Sequence, residues 1–434
     1  MTPLSAAVLS IFFFLLLAFL RLPIAISMGV VGFVGFALAT SSLKAAMGLV
    51  IDNLLSTFTS YDLTVCPLFI FMGQILFKSG VGEKLFKSGY VIAGRLPGAL
   101  AIGTVVGSSF FAAACGSTIA TAATMGSVAI PEMHRYKYDH SLSTATCAAG
   151  GTLGILIPPS ICFIIYASIT QQSVGQLFVA GILPGIVLAV LFVLNILFYT
   201  WLKPGSAPAG SQTGMIEKLK AIIGLWEVLV IFIVIIGGMF AGIFTPVESA
   251  SIGCLIALTF ALVQRHLKWK KLLEALRETI VTATFVLLII AMSQVFGRLM
   301  GIFKVPQLLS EWLVMLSAPP FVIILFIVGI FFIATCFIET IPIILLLVPI
   351  FLPTIQKLEI DLVWFGVVVT IVSQMGLITP PVGLNVYTIK GVSNAPLEVI
   401  FKGVWGFLIA MFVLILLLLV WPQIALFLPS FMTY

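Results

Sequence analysis

The sequence predicts an all-α polytopic membrane protein made of two inverted-topology repeats, with about ten spanning helices plus two re-entrant hairpins. Three observations carry this prediction. The chain is 61% hydrophobic and 8% charged, with a mean hydropathy of +1.27; a soluble domain carries roughly 25% charged residues. Its apolar runs recur at the roughly 20 residues that a membrane-crossing helix needs, not as the short alternating strands of a barrel. Finally, Gly154-Ile155-Leu156-Ile157-Pro158-Pro159 returns 222 positions later as Gly376-Leu377-Ile378-Thr379-Pro380-Pro381. The same offset carries Pro131 onto Pro353, Gly107 onto Gly329 and Pro97 onto Pro319.

The elements follow in order. Leu4–Leu20 is a first span, and Arg21-Leu22-Pro23 breaks the chain before a second that ends near Thr40. Residues 44–60 carry Lys44, Asp52 and Asn53 and read as an external interfacial segment. Leu63–Phe77 is the third span, and Lys78–Arg95 is an amphipathic basic arm on the inner surface. The stretch 97–131 is apolar but rich in small residues, and basic residues flank both ends. An apolar segment with both ends on one side is a re-entrant hairpin, tolerable only against protein or a wet cavity. A broken helix follows at 141–170, interrupted by Gly154 and Pro158-Pro159, and then a span at Leu177–Trp201. The Pro- and Gly-rich stretch 203–220 reads as a cytoplasmic linker, so residues 1–202 form the first repeat and 221–434 the second. The second repeat runs through spans Leu225–Gly242 and Val247–Val263, a basic arm Arg265–Arg277, and a span near Ile280–Phe296. A surface segment to Ser317, a hairpin at 319–353, a broken helix at 363–389 and a last span at Val404–Trp421 complete it.

Charge sets the orientation. With the amino terminus outside, 17 Lys and Arg residues fall inside and four, Lys44, Arg298, Lys304 and Lys357, fall outside. That is strongly inside-positive. The net charge of +6 lies in short loops between spans, so it is not a nucleic-acid signature. No cleavable signal is evident. The six cysteines have no metal spacing and read as small packing residues.

A helix broken in mid-membrane frees carbonyls and exposes two helix ends. Carbonyls suit a hard cation such as sodium, and helix amino termini suit an anion, so paired breaks are the pattern of a secondary transporter. Gly154 and Gly376 let the backbone leave helical geometry, and paired prolines keep the helix from closing again. A plain proline kink is the bland alternative for one Pro-Pro, and matched breaks beside matched hairpins argue against it. Gly116, Ser117, Thr118 and Thr121 at the first tip offer hydroxyls and accessible backbone; tight packing through small residues is the alternative and is compatible with a site. Glu339 at the second tip is a candidate intramembrane acid. Glu248 fits better as an acid at a helix amino terminus. Asn385, just past the second break, could orient carbonyls or substrate, or simply tie two helices. The polar run His134–His140 reads as a solvated inner loop. No phosphate-binding loop, H-E-x-x-H or G-x-S-x-G motif is present, and all three histidines sit in loops, so an enzyme is not expected. A passive channel also accommodates two breaks; uptake against a gradient would exclude it.

These residues resemble the large membrane subunit of tripartite ATP-independent periplasmic (TRAP) transporters, the DctM-like proteins. The resemblance spans nearly the whole chain. Its most specific parts are Ala148–Ser160, Ala180-Gly181-Ile182-Leu183-Pro184-Gly185, Thr245-Pro246-Val247-Glu248-Ser249-Ala250 and Gly376–Asn385. It implies sodium-driven import of an organic anion, often a carboxylate and potentially C4-dicarboxylate-like, across the bacterial inner membrane. It implies two partners, a periplasmic substrate-binding protein and a small four-helix membrane subunit. It also implies an elevator, in which hairpins and broken helices move as one transport domain against a scaffold. By the family pattern, one sodium site uses Gly116, Ser117, Gly154, Ile157 and Pro159, and another uses Thr340, Gly376, Thr379 and Pro381. Thr118, Thr121, Ser160, Glu339 and Asn385 are the expected substrate contacts. Sialic-acid-type members carry an Asp where this chain has Thr121, which argues against that sugar. The alternative is a self-sufficient ion-coupled anion transporter that needs no binding protein.

Overall fold

The structure is a computed structural model that describes residues 3–210, 212–264, 267–315 and 318–432. Ser211, Arg265, His266 and Ser317, which entered the reading above, lie outside those residues. Among the described residues the chain is helical, and the strand-like pairing is one isolated antiparallel bridge between Pro97 and Ala209.

Helices α1 (Pro3–Phe19), α2 (Ile24–Thr40) and α3 (Leu43–Phe58) open the chain. α4 (Val65–Lys78) follows α3 across a 61° bend, so the segment read as interfacial is a helix leading into a span. α5 (Val81–Ala93) is the basic arm. α6 (Ala99–Cys115) and α7 (Thr118–Arg135) pack on each other across the two-residue link Gly116-Ser117. α8 (His140–Thr152) ends in a single 3-10 turn at Leu153–Ile155, and α9 (Ile161–Thr170) starts afresh beyond Pro159. α10 (Val174–Leu202) closes the first half.

α11 (Met215–Ile223) occupies the end of the stretch read as linker, and a capping box of Glu217 with the Gly214 N–H helps start it. The irregular linker therefore ends at Gly214. α12 (Trp226–Phe240) and α13 (Pro246–Val263) follow. α14 (Trp269–Ile302) is one unbroken 34-residue helix where the sequence reading divides it into an arm and a span. It contains no proline, so nothing in its backbone enforces that division. α15 (Val305–Met315), α16 (Pro320–Thr335), α17 (Thr340–Lys357), α18 (Leu362–Met375), α19 (Leu384–Ser393), α20 (Leu397–Val420) and α21 (Gln423–Leu426) complete the fold. Among the described residues five helices are long and apolar enough to cross a membrane, or seven if each bent pair is one span.

Local sequence explains the helix starts. Ser42, Ser117, Asp139, Ser160 and Asp361 each accept a backbone N–H at an N-cap, worth about 1 kcal/mol apiece. Thr245 and Glu248 form a reciprocal capping box on α13, so Glu248 caps a helix and is exposed. Close packing comes from small residues. Cβ atoms on Gly29, Gly32 and Gly35 of α2 would run into Met292, Val295 and Leu299 of α14, which lets these two helices approach closely.

Two polar ties set the central helices in register. The buried Tyr166 hydroxyl on α9 donates to the Leu362 carbonyl of α18 at 2.6 Å. Near one rim, Tyr138 accepts from the Leu100 N–H at 3.2 Å and donates to the Pro208 carbonyl at 3.1 Å, pinning the linker onto α6. Burial pushes the Tyr138 phenol up to about 12.

Candidate functional site

Two helix breaks and two hairpin tips make two clusters. In the first, α6 ends on Gly116, whose φ of 61° is left-handed backbone that glycine adopts without strain. A Cβ there would stand 2.7 Å from the Pro159 carbonyl oxygen. A Cβ on Gly154 would stand 2.7 Å from the Ser117 carbonyl oxygen and 3.1 Å from the Thr118 N. Hairpin tip and break are thus in backbone-to-backbone contact, and only glycine at these two positions permits it. The amino terminus of α7 lies at this contact, and residues 151–160 are buried throughout.

The hydroxyls here are largely committed. Ser160 donates to the Ile155 carbonyl at 2.6 Å while capping α9. Thr121 donates to the Ser117 carbonyl at 2.6 Å. What the cluster offers a cation is therefore chiefly carbonyl oxygen, with Ile157 and Pro159 on the irregular stretch.

In the second cluster a Cβ on Gly376 would collide with the Thr335 carbonyl and side chain at the end of α16. Thr340, the first residue of α17, donates to the Ser373 carbonyl at 3.2 Å. Thr379 donates to the Met375 carbonyl at 2.6 Å. Glu339 occupies the N-cap position of α17 but makes no cap bond. The clusters differ in one respect. Pro158 and Pro159 are buried, whereas Pro380 and Pro381 are exposed, so the second break opens at its proline end.

Asn385 joins the first cluster although it follows the second break. Its Nδ2 donates to the Ala148 carbonyl of α8 at 3.1 Å, and its Oδ1 is buried without a hydrogen-bond partner among the described residues. The sequence reading missed Gln374. With its amide oriented to suit its neighbours, Nε2 donates to the Thr152 carbonyl at 2.5 Å and Oε1 accepts from the Leu156 N–H at 3.3 Å. The available signal was an amide two positions before Gly376 in an apolar run. Thr335 was missed too, since nothing in Phe331–Thr335 marks a contact with a distant glycine.

The polar run at 134–140 is structural. Asp139 caps α8 by accepting from the Ser141 and Leu142 N–H groups at 2.7 and 3.2 Å. His134 and His140 are in tilted ring contact, with centroids 4.2 Å apart and ring planes 55° to each other. The six cysteines are free and buried, and among the described residues no three His, Cys, Asp or Glu side chains gather as a metal site.

Residues 11–424 match the family described as tripartite ATP-independent periplasmic transporter, DctM component. The chain belongs to that family. It is 33% identical over 382 residues to the C4-dicarboxylate TRAP transporter large permease protein of Pseudomonas aeruginosa, covering 88% of this chain and 89% of that one. It is 30% identical to the sialic acid TRAP transporter large permease protein of Vibrio cholerae, covering 97% of this chain and 98% of that one. It is also 30% identical to the ectoine TRAP transporter large permease protein of Halomonas elongata, covering 95% and 96%. The fold resembles the YdaH transporter of Alcanivorax borkumensis, with a TM-score of 0.63, 14% identity, and 96% and 98% of the two chains covered. It also resembles MtrF of Neisseria gonorrhoeae, with a TM-score of 0.59, 14% identity, and 96% and 95% covered. This permease family, the apolar helices and the transporter fold make the chain a multi-pass membrane transport protein.

Proposed function

We propose that this chain is the sodium-coupled large subunit of an organic-anion importer. It takes a carboxylate from a periplasmic binding protein, and a small four-helix membrane subunit braces it in the bacterial inner membrane. The observation carrying this reading is that each broken helix meets a hairpin tip through a glycine with no room for a Cβ, beside irregular backbone and a helix amino terminus. Family membership supports the two partners, and relatives named for C4-dicarboxylates, sialic acid and ectoine support a small organic passenger.

The residues fit sodium because their free donors are hard oxygens. Gly116, Ser117, Gly154, Ile157 and Pro159 would hold one ion; Thr340, Gly376, Thr379 and Pro381 would hold the other. Sodium, when bound, supplies positive charge beside the anionic passenger. The chain contributes the α7 and α17 amino termini, whose N–H groups and dipoles favour an anion between the tips. Thr118, Thr121, Ser160, Glu339 and Asn385 are the side chains nearest that space in this reading. The hairpins 97–131 and 319–353 and the broken helices 141–170 and 363–389 form the moving body, in an elevator whose scaffold is the remaining helices, with the amino terminus periplasmic.

Proteoliposomes carrying both membrane subunits test this. With binding protein present, an inward sodium gradient should drive radiolabelled carboxylate uptake above its equilibrium level. Equal uptake in potassium removes the sodium claim. Equal uptake without binding protein favours the self-sufficient transporter.

A further inference from the structure

Two adjoining cavities, about 430 and about 830 Å³, share Asn53, Gly297 and Arg298. One wall is α3 and α14, and the other is α9 and α17. On the second wall the innermost lining residues are Ile165 and Leu345. Each lies five residues beyond the start of its helix region, at Ser160 and at Thr340 respectively. At 1.5 Å per residue the cleft floor therefore sits about 7–8 Å along the helix axes from both helix starts that flank the two clusters.

The cleft is polar in an apolar neighbourhood. Asn53, Ser168, Ser293, Gln294 and Arg298 line the narrower cavity, and Asp52 and Ser56 join Arg298 in lining the wider one. Arg298 is exposed and, among the described residues, no carboxylate oxygen lies within 4.0 Å of its guanidinium. Gly297 and Gly301 flank it, and a Cβ on either would meet nothing within 4 Å. Missing side chains thus hollow the α14 face around the charge. An ionisable group in a water-filled cleft between helices marks a pathway, and a guanidinium is shaped for bidentate carboxylate or sulfonate recognition.

We propose that this cleft is an anion-capture vestibule, in which Arg298 receives the carboxylate of the passenger before it descends to the helix breaks. The identity of the ligand rests on the anion-import reading. Capture of an anion by the cleft does not, so the two can fail separately.

The test uses reagent charge in the full complex. Ser168→Cys places a thiol in the cleft, and the unsubstituted protein, with its buried cysteines, is the control. An anionic sulfonate-bearing methanethiosulfonate should label Cys faster than a cationic trimethylammonium one. In Ser168→Cys/Arg298→Gln the anionic-to-cationic rate ratio should fall about tenfold, the scale of electrostatic focusing in a cleft. Arg298→Lys should keep most of the preference. Millimolar succinate should protect the thiol, and choline should not. An unchanged ratio in Arg298→Gln, or no labelling by either reagent, overturns the vestibule. Phosphatidylcholine vesicles with and without phosphatidylglycerol separate the sources of anion. If the preference vanishes with the anionic lipid, the guanidinium holds a headgroup and the passenger assignment is overturned. Normal labelling with no sodium-driven uptake would sink the transport reading alone.

Discussion

Gln374, two residues ahead of the second helix break, is hydrogen-bonded into the first: its amide nitrogen lies 2.5 Å from the Thr152 carbonyl oxygen. Asn385, beyond the second break, grips the same broken helix at Ala148. The two breaks are therefore one connected polar structure. Gln374→Leu should cost about 1–3 kcal/mol, since it leaves a buried carbonyl without its donor. Sodium binding should also lose cooperativity, read as a fall in the Hill coefficient of the sodium-induced thermal shift. A wild-type coefficient in this variant would uncouple the breaks.

The Asn385 amide makes a sharper test. Asn385→Leu deletes the bond to Ala148 but also deletes the unpartnered oxygen. Asn385→Asp instead sets a buried carboxylate against the Ala148 carbonyl. Thermal stability should rank wild type first, Leu second and Asp last, because an unpaired buried charge costs more than a lost neutral bond. An Asp variant as stable as Leu would mean the site is wet.

Gly154→Val and Gly376→Val test the tip contacts. Their methyl groups would press on the Ser117 and Thr335 carbonyls, so the tip must withdraw. Apparent sodium affinity should fall at least about tenfold, roughly 1.4 kcal/mol, with a smaller loss in expression or monodispersity. Unchanged sodium affinity in folded protein would place the cation elsewhere.

His134 predicts a pH effect. Burial first, then the charge of the neighbouring His140, hold its imidazole below the ordinary 6.5. Unfolded protein then takes up this proton before folded protein does as pH falls. Stability is complete above about pH 6.5 and declines as pH drops from there toward the folded value. Melting temperature followed from pH 7.5 to 5 should decline less in His134→Gln than in wild type. An equal decline would assign the effect to other groups.

Glu227 on α12 is buried and takes the Lys84 ammonium at 2.6 Å and the Gln264 amide at 2.7 Å. It ties the arm α5 to α12 and α13. Lys84 is half-exposed and can return to water, so Glu227→Ala should cost about 1–2 kcal/mol, less than breaking a fully buried pair. Denaturation in detergent measures it, and a neutral result would make the contact decorative.

Breaks and the first tip were legible because paired proline, and Gly116 with its left-handed φ, act locally on the backbone, whereas Gly154 and Gly376 keep helical backbone and serve contacts with the distant Ser117 and Thr335. The Gly154–Pro159 stretch declares an interruption whatever surrounds it, and Ser117 and Ser160 declare the restarts. Gln374 was not legible, because its importance comes from Thr152 and Leu156, more than two hundred residues away and silent in sequence. The division of α14 failed for a related reason. Basic residues near Lys270 report where the surface lies, not whether the helix stops there. Thr121 and Ser160 were visible as hydroxyls, but their commitment to local carbonyls emerged only with the helix ends in place.

The unbroken α14 has a mechanical corollary. Thirty-four residues of helix are about 51 Å long, against about 30 Å of hydrocarbon. A rod that long must overhang the film or lean in it. With Lys270 and Lys271 at one end and Arg298 near the other, a tilt of the lysine end is delivered, without any slack joint between, to the cleft around Arg298.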